Sequence, residues 1–319
     1  MGGYVLGRLI VAAVLVFVVA TLLFAFLHLM PGDPALLLLS NSGSSPPHSA
    51  VVALRHHLGL DQPIPQQYVA YLGGLVHGDL GNSFQDGHPV SSDIMQRLPR
   101  TFELIVAATV LGVLAGVPLG TAAARTRGSP LDTLISLLAS TGISLPVFVT
   151  GTLLILVVSL KLGWVSAGGY SDLTADPVSN LKELILPAVS IAFGLAAVVA
   201  RMARSAVLDV QGQDWVRTAR AKGLPRRIVL VRHIVRNAMT PVVTVVGLQL
   251  GTLLGGTVLV EYVFNWPGIS SLLVQSAERR DYPEVQGIVL VIATLFILLN
   301  LVVDLTYGVL DPRVKSGRQ

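Results

Sequence analysis

Seven cations, Arg217, Arg220, Lys222, Arg226, Arg227, Arg232 and Arg236, fall within residues 213–241 against a single acid, Asp214. The chemistry open to such a stretch is binding of an acidic partner. The local pattern reads as a helix, a sharp turn and a second helix. Asp214 is placed to cap the first helix, Ala219 and Ala221 favour it, and Gly223 ahead of Leu224-Pro225 is a stop signal. Arg220 and Lys222 fall in the last turn, where the helix dipole favours positive charge. Beyond Pro225, Ile228, Leu230, Val231, Ile234 and Val235 form a second basic, amphipathic arm. Residue types and spacing leave two uses open. One is a docking surface for another protein; the other is a helix resting on anionic lipid headgroups. Nucleic acid is a poor partner, because the stretch lies between apolar spans and carries no separate binding fold.

The elements that must position this elbow are membrane spans. Of 319 residues, 52% are hydrophobic and 13% charged, and the mean hydropathy is +0.70, outside the range of soluble domains. Several uncharged runs approach or exceed the roughly 20 residues that cross a hydrocarbon core. The absence of cysteine excludes disulfides, iron–sulfur clusters and thiolate metal sites. No phosphate loop of the G-x-x-x-x-G-K-[ST] type, no H-E-x-x-H and no G-x-S-x-G occurs. If ATP drives this protein, another chain must bind it.

The chain reads as six spans. Residues 9–30, after Arg8, form an uncleaved first span, since no A-x-A-type cleavage site follows. Residues 31–100 are a polar excursion. Pro31-Gly32-Asp33-Pro34 ends the span, residues 41–48 are turn-rich, and residues 50–58 and 66–76 have helical spacing with Tyr68, Tyr71, Leu72 and Leu75 on one side. The adjacent His56 and His57 point apart on a helix and read as solvated. The second span, residues 101–124, carries Gly112, Gly116 and Gly120 at four-residue spacing, a ridge for close helix packing. The third, residues 131–160, is interrupted at Gly142-Ile143-Ser144-Leu145-Pro146, where proline bends a helix. That break either lines a pathway or sets a tilt. Residues 184–200, 242–260 and 287–309 complete the set; the fifth repeats a glycine ridge at Gly247, Gly251 and Gly255.

Orientation follows from Lys and Arg. Fifteen lie on the face holding Arg8, Arg125, Arg127, the 201–236 stretch and the tail; seven lie on the other face. The excess marks the cytoplasm, placing both termini and the elbow inside. Glu103, Glu261, Asp132 and Asp304 border or enter spans. They read as interfacial groups, with Asp304 paired to an Arg such as Arg313. The alternative is proton coupling.

With six spans, an outer helical segment and a basic elbow, a resemblance becomes specific. The run Gly212-Gln213-Asp214-Trp215-Val216-Arg217-Thr218-Ala219-Arg220-Ala221-Lys222-Gly223-Leu224 resembles the cytoplasmic "EAA" loop of type I ABC importer permeases. More closely, the chain is similar to the B-type permease subunit of dipeptide/oligopeptide importers. The likeness includes Gly78-Asp79-Leu80-Gly81-Asn82-Ser83, Leu98-Pro99-Arg100-Thr101-Phe102-Glu103-Leu104, Ser144-Leu145-Pro146, Asn265-Trp266-Pro267-Gly268, Asp281-Tyr282-Pro283 and Asp311-Pro312-Arg313. Where the family loop typically has Glu-Ala-Ala, Arg217-Thr218-Ala219 stands here, a variant usual for peptide permeases. The acid's role therefore does not pass to Asp214.

The resemblance implies an all-α integral membrane protein with six transmembrane helices, the type I ABC importer permease fold and an extracytoplasmic helical subdomain between spans 1 and 2. The expected divisions are 1–30 as N-terminus and first span, 31–100 as the outer subdomain, 101–309 as the permease core with its coupling loop at 205–240, and 310–319 as a cytoplasmic tail. The implied partners are a second homologous permease, two cytoplasmic ATPases carrying ATP and magnesium, and an extracytoplasmic binding protein, all at a bacterial plasma membrane. This chain is expected to be non-catalytic and to hold no cofactor or metal itself. Asp214, Trp215, Arg217, Thr218, Ala219, Arg220, Lys222, Gly223 and Leu224 would form the helix that docks on an ATPase. Asn265, Trp266, Pro267 and Gly268 would line the outer mouth. The cargo would be di- or oligopeptides; nickel and glutathione permeases look very similar, and a proton-coupled carrier would need no ATPase.

Overall fold

The computed structural model describes residues 2–29, 35–36, 39, 47–57 and 61–310, with side chains among these between 5 and 303. Pro31-Gly32-Asp33-Pro34, most of the turn-rich 41–48 segment, Asp304 and Asp311-Pro312-Arg313 lie outside these limits. The chain divides into two compact units, Met1–Pro99 with Leu272–Gln319, and Arg100–Ser271.

In the first unit, α1 (Gly2–Leu29) packs against α12 (Tyr282–Leu310). The segment that follows α1 forms α2 (His48–His57) and α3 (Ile64–Val76). The aromatic side of α3 meets α1: the Tyr68 hydroxyl lies 2.7 Å from Thr21 Oγ1, and Phe24 stacks near Tyr68 and Tyr71. His56 is exposed, 3.9 Å from Asp61, and no three-residue His, Asp or Glu cluster suited to a metal occurs among the described residues. The Gly81–Pro89 turn is held by Asp281, which is fully buried. Its carboxylate accepts from Ser83 Oγ at 2.5 Å and from the Phe84 amide at 3.1 Å.

The second unit is built around α7 (Pro177–Gln211), the most buried span. The glycine ridge of α4 (Val90–Arg125) lies against it. A Cβ at Gly112 would sit 2.9 Å from Leu195, and one at Gly116 would sit 2.7 Å from Val199. The small residues thus let two backbones approach where lipid supplies no hydrophobic drive between helices. The third span is not one tilted helix. α5 (Pro130–Ser144) and α6 (Val147–Lys161) meet at 105° across Leu145-Pro146. A proline removes one hydrogen bond and adds one clash, which kinks a helix; a turn of 105° makes the pair a broken span or a re-entrant loop. α6 ends in a π-helical segment, Ile155–Lys161. The fifth span runs as α9 (Arg226–Gly256), and its ridge is only partly used: Gly251 is buried, whereas Gly255 faces open space. Among the described residues, five helices are long and apolar enough to cross a membrane, or six if the α5–α6 pair is one span.

Candidate functional site

The elbow joins α7 to α9. Its helix, α8 (Asp214–Ala221), begins one residue earlier than the capping pattern suggests. Gln213 is the extended residue before it, and Asp214 is already helical with its carboxylate 3.4 Å from Arg217. Asp214 therefore acts as a first-turn acid on the positive end of the helix dipole. Gly223 ends the helix at φ +75°, a left-handed conformation that an L side chain adopts at a cost of about 1–2 kcal/mol. The amides of Lys222 and Gly223 donate to the carbonyls of Thr218 and Arg220.

Two faces of α8 separate cleanly. Val216 and Ala219, three residues apart, are buried with Ala206 and Val207 of α7 and Val229, Ile234 and Ala238 of α9. Asp214, Trp215, Arg217, Thr218, Arg220, Lys222, Gly223 and Leu224 are exposed. Trp215 is 42% exposed, and its only ring neighbour among the described residues is His233 at 6.4 Å. The face thus offers an indole and a leucine amid cations. The second arm contains a π-helical segment, Val229–Val235. It widens the first turns of α9 and has no counterpart in the hydrophobic periodicity.

A partly buried ion pair braces the same end of the unit. Arg204 on α7 donates through Nε and Nη2 to both carboxylate oxygens of Asp132 on α5, at 2.7 and 2.9 Å. The second of these oxygens also accepts from the Gly128 amide at 3.0 Å. Sequence placed Asp132 at an interface; only the fold shows that its partner is 72 residues away.

The expected mouth loop lies at the opposite end of α7. Trp266 and Phe264 pack with Leu184, Leu186 and Leu104. At 1.5 Å per residue, Leu186 and Val207 stand about 30 Å apart along α7, the thickness of a hydrocarbon core. Trp266 does not line an opening: it is fully buried, and its Nε1 donates to the Arg100 carbonyl at 3.0 Å. Tyr170 meets its ring edge-on at 4.9 Å, with the Arg100 guanidinium over Tyr170. Asn265 is exposed and takes φ +51°, which asparagine tolerates.

Glu261 is likewise fully buried within the chain. It accepts from Thr101 Oγ1 at 2.7 Å and from the amides of Ser270 and Ser271 at 2.9 Å each, at the start of α11 (Ile269–Glu278). A carboxylate at a helix N-terminus is held by both the free amides and the dipole. Gly268 is the residue that allows it, because a Cβ there would overlap the Glu261 carboxylate. The Asn265-Trp266-Pro267-Gly268 motif is thus an anchor in which one exposed residue, Asn265, remains to face outward. A long-range acceptor for three donors left no trace in the sequence beyond an acid at the end of a span.

Residues 116–316 match the family described as "Binding-protein-dependent transport system inner membrane component", and residues 1–105 match its N-terminal companion family. Over 323 residues the chain is 42% identical to the dipeptide transport system permease protein DppB of Escherichia coli (strain K12), covering 94% of this chain and 95% of that one. Over 312 residues it is 43% identical to the glutathione transport system permease protein GsiC of Salmonella paratyphi A, covering 98% of each. Among solved structures, a chain of the inward-facing MetNI methionine ABC transporter aligns with a TM-score of 0.57 at 17% identity, covering 69% of this chain and 96% of its own. An amino acid ABC transporter crystallised with histidines aligns with a TM-score of 0.51 at 17% identity, covering 70% and 94%. Likeness at that identity speaks to shared fold alone.

Proposed function

The chain belongs to the family of binding-protein-dependent transport system inner membrane components. From that premise we propose that it pairs with a second homologous permease to enclose a path for short peptides delivered by an extracytoplasmic binding protein. The motor is a pair of cytoplasmic ATPases, which hold the ATP and magnesium; this chain supplies no catalytic group. It is a multi-pass protein of the bacterial inner membrane, with both termini and the 205–240 loop in the cytoplasm and residues 31–100 outside. The relatives named for dipeptides and for glutathione both handle short peptides, and that common chemistry is the cargo class.

The observation that carries this reading is the split face of α8, with Val216 and Ala219 packed inward and Trp215, Arg217, Arg220 and Lys222 outward. An acidic groove on an ATPase would take the basic face, and a pocket there would take Trp215. The inward face explains how force leaves the elbow. Close-packed interiors do not absorb displacement, so moving α8 moves the inner ends of α7 and α9 with it. The glycine ridge of α4 rides on α7 and follows.

Gly223→Arg tests the assignment. No atom lies within 4 Å of the position a Cβ would take, so the variant costs about 1–2 kcal/mol through its left-handed backbone and not through a clash. It is expected in the membrane, at an amount checked by immunoblot, with ATP-dependent peptide uptake lost in reconstituted vesicles. Uptake at the wild-type rate would overturn the docking role.

A further inference from the structure

Between α4, α5 and α7 lies an almost wholly apolar cleft of about 340 Å³, with Leu111, Leu138, Ala139, Phe193, Ala196 and Ala200 in its walls. It exists because α7 shows alanines at helical spacing, Ala192, Ala196 and Ala200, where its neighbours show larger groups. Four residues beyond Ala197 and Ala200 stand Arg201 and Arg204, so the same stripe becomes cationic within one turn. Arg204 is engaged by Asp132. Arg201 is exposed, and its guanidinium donates to Ser140 Oγ at 3.5 Å, with no carboxylate in salt-bridge range among the described residues. Ser140 adjoins the cleft residue Ala139. An unpaired cation at the edge of a span is expensive unless an anion meets it.

We propose that this cleft holds one acyl chain of an anionic phospholipid, with the headgroup phosphate on Arg201 and Ser140. The apolar walls select the lipid over inorganic phosphate, which would gain nothing from them. A peptide is the wrong occupant, since its backbone polar groups would be left unsatisfied against alanine and leucine.

The test uses the full chain with its co-purified partner subunits in nanodiscs. Photoactivatable phosphatidylglycerol and phosphatidylcholine are the probes, and cross-linked residues are mapped by mass spectrometry. Phosphatidylglycerol is expected to label residues 134–141 and 189–200 in preference to phosphatidylcholine. Arg201→Gln, an exposed change, should lower that labelling about fivefold, the loss expected for one basic residue at an anionic headgroup. Ala196→Trp, which fills the cleft, should abolish labelling by both lipids while Arg201→Gln shows that the fold tolerates change nearby. Equal labelling by the two lipids that Arg201→Gln leaves unchanged would overturn the site. So would labelling of these residues by a photoactivatable peptide and not by lipid.

Discussion

The two ends of α7 solve opposite problems with similar residues. At one end Trp266 and Glu261 are fully buried, and each has its hydrogen-bonding groups met by the same chain. At the other, Trp215 is 42% exposed and the surrounding arginines are solvated. A tryptophan inside a closed network holds a fold together. One left in the open among cations is an unfilled half of an interface, since indole and guanidinium are the groups that dominate protein–protein hot spots. The lesson is that residue type did not separate anchor from docking surface; satisfaction of the polar groups did.

Breaking the anchor should give the largest loss of stability. Trp266→Ala removes a buried indole and its hydrogen bond to the Arg100 carbonyl, at a cost of about 3–5 kcal/mol. The expected result is a collapse of the monodisperse peak in size-exclusion chromatography after solubilisation. A variant that survives with a wild-type thermal midpoint would erase the contrast.

The exposed tryptophan should behave in the reverse way. Trp215→Ala is expected to change stability by less than about 0.5 kcal/mol, as surface substitutions do. Peptide uptake with the ATPases present should fall about tenfold or more, the scale of a tryptophan hot spot. Uptake and thermal midpoint measured on the same preparation decide it: a large stability loss would make Trp215 a second anchor.

A smaller effect sharpens the Trp266 end of α7. Asp176 caps α7, accepting from the Ser179 amide at 3.1 Å. Hydrogen bonding to Ser179 holds its carboxyl below the usual aspartate range. A carboxyl whose folded value is lowered stabilises the protein above its unfolded value of about 3.9, and that stabilisation fades as pH falls through the lowered value. The thermal midpoint of Asp176→Ala should therefore lie slightly below wild type at neutral pH, and the two should converge in acid. A gap that stays constant down to about pH 3 would show that the cap does not act through its charge.

Much of this was legible in the chain as written. The elbow could be read because its cues are local: Gly223 before Leu224-Pro225, and cations clustered between apolar runs. The ridge at Gly112, Gly116 and Gly120 was equally plain, because a four-residue spacing already places side chains on one face. Gly255 shares that spacing yet faces open space within this chain, so a ridge names a face and not its neighbour.

What the sequence determined by itself is everything set within a few turns: which stretches are apolar enough for lipid, where the elbow bends, and which side of it is basic. Tertiary structure decided that Trp266 and Glu261 go inside, that Asp132 finds Arg204, and that the third span breaks by 105° at Leu145-Pro146. The reason is that propensity and periodicity act between neighbours in the chain. A buried carboxylate or indole is placed by partners as distant as Thr101 is from Glu261, and those partners meet only once the helices have packed.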